Sequence, residues 1–418
     1  MQMCFSYPNT LTEGVNPPPN LAPQADEVQV ALLTGGFDKP YAFGLATALA
    51  SRDVRLDVIG SDDVDSPEMH TTPKLNFLNL WGSKQEASLG TKISRMLIYY
   101  ARLIRYATVA EAKIFHILWN NKFQFLDRTL LMLYYKLLGK KIVLTAHNVN
   151  AGKSDSNDSL LNRSTLRVQY LLADHVFVHT EKMKRELLRD FGVHERTVSV
   201  IPFGINNSVP HTDLSPHEAK QRLGIRGDER TILFFGAIRP YKGLEYLVDA
   251  FQQLAATHPE YRLIIAGEPR KGAEQYLDKI QRTINGHDNR GQVLQEIRYI
   301  PDEETELYFK AADVLALPYT HVFQSGVLFL GYSFGLPVVG ADVGSVREEI
   351  IESRTGFLCR SYDSADLAKA LEKYFESDLF KNLDSRRQEI REFANAKHSW
   401  DIVGKITRNV YTQLLRER

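Results

Sequence analysis

The sequence is poor in cysteine, has no excess of either charge and contains no long apolar run. Its two cysteines, Cys4 and Cys359, lie far apart in 418 residues. This excludes a disulfide framework and a cysteine metal site, and it favours a reducing compartment. Stretches of about 18 uncharged apolar residues are absent, which excludes an integral membrane protein built from helices. Lysine plus arginine and aspartate plus glutamate both number 51, so no overall basic surface is available for nucleic acid.

The length and composition indicate two globular domains. The composition, 44% hydrophobic and 24% charged, is that of a globular protein. At 418 residues, the chain is longer than a domain with a single hydrophobic core usually is. Residues 1–26 are rich in proline and asparagine and lack the charged-then-apolar pattern of a signal peptide. We therefore predict a disordered tail at 1–26 and a cytoplasmic protein.

Short apolar strands alternate with helices along almost the whole chain, which predicts an α/β fold with parallel sheets and crossover helices. The predicted strands of the first half are Val28–Leu33, Arg55–Ile59, Ile114–Leu118, Lys141–Thr145, Asp174–His179 and Val198–Pro202. A linker rich in proline and charge follows Asn206. The predicted strands of the second half are Thr231–Phe235, Tyr261–Ala266, Ile297–Pro301, Val314–Leu317 and Val338–Val339.

Two loops of the first half follow directly on strands. Gly35 and Gly36 permit a ligand to approach the backbone closely, but they suit a tight turn with positive φ equally well. His147 lies just past the carboxyl end of a strand, where open α/β sheets bind ligands, although it could instead satisfy local backbone groups. The Asp63-x-Asp65 pair has a spacing that can bind a divalent metal with a nucleotide sugar. A polar loop after a strand is expected to be acidic in any case, so we predict no metal site.

The segment from Lys92 to Lys113 is predicted to form a basic amphipathic helix. Its leading basic residues are interleaved with large apolar and aromatic side chains. Such a helix can lie on an anionic membrane surface with its aromatic residues among the headgroups. The alternative is an ordinary domain helix that exposes its arginines to solvent.

Two loops of the second half have the features of a phosphate site. Arg239 and Lys242 lie on a glycine-bounded loop after a strand. This pair suits a diphosphate, with Arg239 as a planar fork of donors and Lys242 as a point charge. The alternative is that both side chains are simply solvated. The second loop delivers Gln324, Ser325 and Gly326 to the start of an apolar helix. The first amides of a helix have no partner within it, and together with the helix dipole they favour an anion.

Taken in order, these motifs resemble the retaining glycosyltransferases of family 4, which have the GT-B fold. The match covers roughly Val28 to Leu415. The motifs that carry it are Gly35-Gly36, Thr145 to Asn148, Ile201 to Asn206, Phe234 to Leu244, Ala266 to Glu268, and Phe334 to Ile350.

The resemblance implies two facing Rossmann-like domains with parallel sheets. The implied boundaries are 27–206 for the acceptor side, 207–395 for the nucleotide-sugar side, and 396–418 for a helix that packs back on the first domain. Catalytic roles fall to His147, which would face the transferred sugar, and to Arg239 and Lys242, with Lys242 on the donor phosphates. The implied donor-binding residues are Gly236, Gly267, Glu268, Tyr299, Ile300, Gln324, Ser325, Gly326 and Val327, and an acceptor or donor loop is formed by Gly35, Gly36, Phe37 and Asn148.

The implied reaction moves a sugar from a nucleoside diphosphate sugar to a glycan or lipid-linked acceptor, with retention and without metal or cofactor. Surface polysaccharide or glycoconjugate synthesis at the inner face of a membrane is the implied setting. We expect peripheral membrane contact through residues 92–113 and no nucleic-acid partner.

Two positions depart from the family pattern. The family usually has two glutamates eight positions apart ahead of its Gly-x-Pro turn, where this chain has Val322 and Leu330. Ala237 occupies the position where the family more often has arginine, and Arg239 follows two residues later. Two other functions therefore stay open: a nucleotide-sugar epimerase on the same fold, and a sugar-binding or scaffold partner of another transferase, which the missing glutamates support.

Overall fold

The computed structural model describes residues 28–417 except 37, 84–87, 122, 151–157, 206–208, 210 and 323. The predicted tail at 1–26, Phe37 and Asn206 lie outside the described residues. Two sheets, of seven and six strands, are present within the described part, and their strand pairs are parallel. This confirms the predicted α/β class with a parallel sheet in each half.

The first sheet has the strand order β3-β2-β1-β4-β5-β6-β7. Its direction of growth reverses between β1 and β4, and at such a switch point the loops after the two strands open a crevice. The strands are β1 Val28–Leu33, β2 Val54–Gly60, β3 Leu75–Asn79, β4 Ile114–Ile117, β5 Lys141–Thr145, β6 His175–Val178 and β7 Val198–Val200.

The second sheet has the order β10-β9-β8-β11-β12-β13, so its switch point lies between β8 and β11. The strands are β8 Arg230–Phe235, β9 Tyr261–Ala266, β10 Val293–Glu296, β11 Val314–Leu317, β12 Val338–Ala341 and β13 Gly356–Cys359.

The predicted strand at Ile297–Pro301 is wrong. The strand that pairs with β9 is the preceding segment, Val293–Glu296. After it the chain turns, and the Arg298 amide donates a hydrogen bond to the Glu296 carbonyl at 3.0 Å. An edge strand such as β10 tolerates polar side chains, so Gln295 and Glu296 concealed it from a search for apolar runs.

Helices cover both faces of each sheet. In the first unit they are α1 Lys39–Ala50, α2 Pro67–Thr71, α3 Leu89–Val109, α4 Gln124–Leu126, the π-helical segment Asp127–Leu131, α5 Met132–Leu137, α6 Leu160–Leu172 and α7 Glu181–Phe191. In the second unit they are α8 Pro216–Arg222, α9 Leu244–Ala255, α10 Glu274–Asn285, α11 Asp302–Ala311, α12 Gly326–Ser333, α13 Val346–Glu349, α14 Ser364–Glu376, α15 Asp378–Lys381 and α16 Leu383–His398, followed by α17 Trp400–Arg416. The short helices Glu195–Thr197, Pro240–Lys242 and Asp288–Gln292 are 3-10.

The predicted linker contains a helix that the sequence analysis missed. Helix α8 begins with a capping box, in which Ser215 accepts from the Glu218 amide and the Glu218 side chain accepts from the Ser215 amide. The Ser-x-x-Glu spacing is the sequence signal for this start.

The last helix returns to the first unit, as the resemblance implied. Trp400 lies against Gly44 and Gly204, where an added Cβ would come within 2.2 and 2.4 Å of its ring. Its Nε1 donates to the Ile205 carbonyl at 2.9 Å. Further along α17, the Tyr411 hydroxyl lies 2.5 Å from His116 Nδ1. Because Gly44 and Gly204 have no side chain, the Trp400 indole can pack between them and attach the last helix to the first unit.

Candidate active site

In the first unit, aromatic rings and two histidines gather at the carboxyl ends of β4 to β7. His147, directly after β5, stacks on Trp119, with ring centroids 4.2 Å apart and planes 4° from parallel. Tyr41 meets the His147 ring edge to face at 4.7 Å. Phe203, after β7, lies 5.1 Å from the ring of His179. These rings hold the imidazole of His147 in one orientation.

His179 is a site residue that the sequence analysis missed. It follows β6, and its Nε2 lies 3.1 Å from Nδ1 of His147. Its other ring nitrogen, Nδ1, lies 3.2 Å from the Ile201 carbonyl oxygen. The signal that could have found it is its place just past a strand end, which matches that of His147.

These contacts fix both imidazole tautomers. A carbonyl only accepts hydrogen bonds, so Nδ1 of His179 carries the proton and its Nε2 carries a lone pair. His147 then donates from Nδ1, and its own Nε2 is the lone-pair nitrogen. Burial lowers the pKa of His179 to about 4. It also lowers the pKa of His147 well below the ordinary value, with the neighbouring His179 as the next cause, so both rings are neutral at neutral pH.

The free nitrogen of His147 is consequently an acceptor. Its Nε2 is buried and has no hydrogen-bond partner within the described ranges. A buried acceptor without a partner costs free energy that a ligand hydroxyl would recover. With so low a pKa, the ring is suited to orienting a hydroxyl group and not to donating a proton.

In the second unit, the loops after β8 and β9 run side by side. The Gly236 amide donates to the Ala266 carbonyl, and the Ile238 amide donates to the Glu268 carbonyl, both at 2.8 Å. Gly267 has a φ of +150°, and an added Cβ there would lie 2.2 Å from the Gly236 oxygen. The predicted donor residues Gly236, Gly267 and Glu268 are thus brought together, with the glycines allowing the close approach of the two loops.

Three cationic side chains lie together beside these loops. Lys242 is buried, and burial lowers its pKa to about 8, helped by the positive charges of Arg239 and Arg270. Within the part of the chain that the structure describes, none of the three side chains forms an ion pair. Arg270 was missed because it lies two residues beyond the Ala266 to Glu268 motif in the loop after β9. A buried lysine beside two exposed arginines, with no carboxylate partner among the described residues, favours a strongly anionic ligand.

The loop after β11 completes this side. The Ser325 hydroxyl caps α12 by accepting from the Leu328 amide, and it lies 3.1 Å from the Tyr319 hydroxyl. Both polar atoms of the Gln324 amide are buried without a partner among the described residues. An added Cβ at Gly236 would lie 3.4 Å from Val327, so the start of α12 adjoins the loop that carries the cations.

Not every predicted site residue joins this group. Ile300 is buried in the hydrophobic core of the second unit, while the Tyr299 side chain is 65% exposed. Gly35 and Gly36 both have positive φ, and Gly35 packs against the backbone of Trp119, so this turn adjoins the aromatic group. Asn148 is exposed, and Phe37 lies outside the described residues.

The two units are in contact next to both halves of the site. Phe203 of the first unit stacks on Phe329 of α12 at 5.3 Å, with planes 17° apart. A cavity of about 380 Å³ opens between the units. Its lining from the first unit includes Thr180, Lys182, Arg185 and Arg189, and from the second unit His321, Val322, Asp342 and Gly344.

Two family descriptions match the chain. Residues 216–396 match glycosyl transferases group 1, and residues 40–209 match Glycosyltransferase Family 4. The chain belongs to the family 4, group 1 glycosyltransferases.

Individual relatives are distant. The chain is 24% identical over 358 residues to the D-inositol 3-phosphate glycosyltransferase of Corynebacterium diphtheriae, and the match covers 81% of each chain. Sucrose-phosphate synthase from Thermosynechococcus elongatus is similar in structure, with a TM-score of 0.75 and 18% identity over 93% of this chain and 100% of that one. Anabaena HepE in complex with UDP-glucose has a TM-score of 0.69 and 16% identity over 92% of this chain and 99% of that one. These likenesses confirm the predicted two-domain GT-B fold.

The positions of the missing family glutamates are now defined. Val322 lines the cleft between the units, whereas Leu330 packs half-buried against the core of the second unit. Gln324, two residues after Val322, brings a polar side chain to the same loop. This glycosyltransferase therefore has an uncharged loop where its family usually has a carboxylate.

Acidic residues do not cluster at the site. Within the described ranges, no group of three or more histidine, cysteine or acidic side chains could hold a metal ion. In the Asp63-x-Asp65 pair, the Asp65 carboxylate lies 2.6 Å from His70 Nε2.

Proposed function

We propose that this chain transfers a sugar, with retention and without a metal ion, from a nucleoside diphosphate sugar to a glycan or lipid-linked acceptor. The observation that carries the proposal is the cluster of Arg239, Lys242 and Arg270 beside the switch point of the second sheet. Ligands bind open α/β sheets at such points. The first unit contributes the neutral His147, which follows β5. The cations are without carboxylate partners among the residues described, and Lys242 is buried.

The cluster would act on the leaving group. Negative charge grows on the diphosphate as the sugar bond breaks, and cations held in place stabilise that charge without reorganising. Lys242 supplies a point charge and Arg239 a planar fork, while the first amides of α12, at Gly326 and Val327, supply further donors. Because three positive side chains are available, the diphosphate can leave without a metal ion.

His147 would act on the transferred sugar. Its Nε2 lone pair can accept a hydrogen bond from a sugar hydroxyl, and the stack on Trp119 fixes the direction of that bond. The ring would thereby hold the sugar so that its anomeric carbon faces the acceptor. Positioning of this kind accelerates a reaction because the entropy of alignment has already been lost on binding.

The acceptor would enter from the first unit, and we propose that it carries an anionic group. Lys182, Arg185 and Arg189 line the first unit's side of the cleft. Glu186, on the same helix, is the acidic residue of this lining. The Corynebacterium relative is named for an acceptor that bears a phosphate. A phosphorylated sugar or a lipid-linked diphosphate would both match this lining.

A ligand panel tests the proposal. The unfolding temperature of the purified chain is measured with UDP, GDP, ADP and the corresponding nucleotide sugars, because a ligand at 100 times its dissociation constant stabilises by about 2.7 kcal/mol. We expect one nucleotide series to stabilise the chain and Lys242→Ala to remove that effect. The exposed Lys279→Ala serves as the matched control and should respond like the wild type. No stabilisation by any member of the panel would contradict the proposal.

A second function is favoured by Val322 and Leu330. Without the family glutamates, the chain could bind a nucleotide sugar and serve as a partner of another transferase without turnover. The two functions differ in one measurement, which is transfer of radiolabelled sugar to a phosphorylated acceptor by a chain that binds the donor. Binding without transfer or donor hydrolysis would favour the partner.

A further inference from the structure

Exposed apolar side chains are concentrated on one part of the first unit. Of eighteen large apolar residues that are exposed in the described part of the chain, fourteen lie between residues 93 and 171. We call them the outer apolar face: Ile93, Leu97, Ile98, Ile104, Val109, Phe123, Phe125, Leu130, Leu133, Leu137, Leu160, Leu161, Val168 and Leu171. The most exposed are Leu137, Leu160 and Leu171, at 78%, 84% and 81%.

These residues belong to one surface. Helix α3, the helical segment 124–137 and α6 all pack their inner sides on the same core cluster, against one side of the first sheet. Thr108 and Tyr134 join α3 to α5 through hydroxyls 2.9 Å apart. Arg128 donates to Asn162 at 2.9 Å and thus joins the middle segment to α6. The outward sides of three neighbouring helices therefore form a continuous layer.

The helices of this layer carry mostly positive charge, with Lys136 and Arg163 paired to Asp174 and Asp158 beside them. Residues 89–109, 124–137 and 160–172 contain eight lysines and arginines and a single acidic residue, Asp127. Asp127 is buried and accepts from the Tyr100 hydroxyl. Lys92, Arg102 and Arg105 are exposed beside the apolar residues. By contrast, the neighbouring helix α7 mixes both signs.

We propose that the outer apolar face binds peripherally to an anionic lipid surface. Apolar side chains at this density would enter the region between headgroups and acyl chains, while lysines and arginines meet the headgroup phosphates. Monomeric proteins rarely leave so large an apolar surface in water. None of the helices in the described residues is both long and apolar enough to span a membrane, so the contact is with the surface.

The face extends the sequence prediction of contact through 92–113 to three helices. Its most exposed leucines lie on α5 and α6, outside that segment. Arg163 and Arg167 of α6 share a cavity with Arg189, which also lines the cleft between the units. Asp158 and Asp190 line the same cavity and pair with Arg163 and Arg189, so the cavity connects the face with the acceptor side of the candidate site through both charge signs. The docking proposal does not depend on the proposed reaction.

Vesicle flotation tests the proposal. Wild-type chain is mixed with vesicles of phosphatidylcholine alone or of phosphatidylcholine with phosphatidylglycerol, and the bound fraction is measured at about 0.1 M and about 1 M salt. The apolar variant is Leu137→Ser, Leu160→Ser and Leu171→Ser combined. The charge variant is Lys92→Glu, Arg105→Glu and Arg167→Glu combined. The control, Ile351→Ser with Tyr362→Ser, removes exposed apolar side chains from the second unit.

We expect wild type and control to float with the anionic vesicles and much less with the neutral ones, and salt to weaken the binding. Both face variants should bind about tenfold less, with circular dichroism and nucleotide stabilisation unchanged. Absence of wild-type flotation would overturn the docking proposal while leaving the reaction untouched. Dimers that the apolar variant converts to monomers, without vesicle binding, would instead identify the face as a contact between copies.

Discussion

In the first unit, the loops after β4 to β7 bring together aromatic rings and two neutral histidines, whereas in the second unit the loops after β8, β9 and β11 bring together three cations and a buried amide. Both sheets have the same order around their switch points. The backbone therefore forms an equivalent crevice in each unit, and the side chains around each crevice determine its chemistry. Under the proposed function, the second unit would bind the charged diphosphate and the first unit the hydroxyl groups of the sugar.

The largest expected effect comes from removing the charge of the second unit. Lys242→Ala and Arg239→Ala should each lower turnover by about 10²-fold or more, because each removes a donor from the developing diphosphate charge. Turnover is measured as release of nucleoside diphosphate, and exposed Lys279→Ala is the control. Wild-type turnover in both variants would contradict the proposal that Lys242 and Arg239 stabilise the leaving diphosphate.

The corresponding change in the first unit should separate turnover from binding. His147→Ala is expected to lower turnover by about 10²-fold while the dissociation constant of the nucleoside diphosphate stays nearly the same, since the histidine belongs to the opposite unit. Calorimetric titration with the diphosphate and initial rates with the full donor give the two quantities. An equal loss of nucleotide affinity would contradict this prediction, because it would show that His147 contributes to nucleotide binding.

A smaller effect is expected from His179, which holds His147 without facing the sugar. His179→Phe should lower kcat by about fivefold with the donor KM unchanged, because one hydrogen bond of about 1 kcal/mol no longer selects the tautomer. Nitrogen chemical shifts of His147 report the tautomer directly. A variant that keeps a single tautomer with a proton on Nδ1 would rule out this positioning role.

The pKa of Lys242 predicts a pH dependence of diphosphate binding. The lysine binds a diphosphate in its charged form, so affinity should fall about tenfold between pH 7 and 9 as pH passes the pKa of about 8. Titrations at each pH, with Lys242→Met as the pH-independent reference, measure this. A parallel decline in the Lys242→Met protein would assign the pH dependence to another group.

The same shift has a consequence for the unliganded chain. The folded pKa of Lys242 lies below the unfolded value of 10.5, so the unfolded state binds more protons between pH 8 and 10.5. The stability of the wild type should therefore rise with pH across that window relative to Lys242→Met. At pH 7, where the penalty is fully present, we expect the methionine variant to be more stable by on the order of 3 kcal/mol. Denaturant unfolding at both pH values checks the sign.

The sequence by itself determined much of the local structure of this chain. Apolar runs bounded by glycine, proline or polar loops predicted strands such as Val314–Leu317 and helices such as Leu244–Ala255 at the bounds observed. Loops after strands also identified His147, Arg239 and Lys242 as candidate ligand-binding residues, which stays a prediction. These features depend on neighbouring residues, and periodicity and turn chemistry record them directly.

Only the tertiary structure decided which distant side chains meet. His147 and His179 are 32 residues apart, and they pair because β5 and β6 are neighbours in the sheet. Arg270 adds to the charge around Lys242 because the loops after β8 and β9 run together. Likewise, three helices that look separately amphipathic become one surface through a shared core. Strand order and helix packing set these contacts, and a linear pattern carries no record of them.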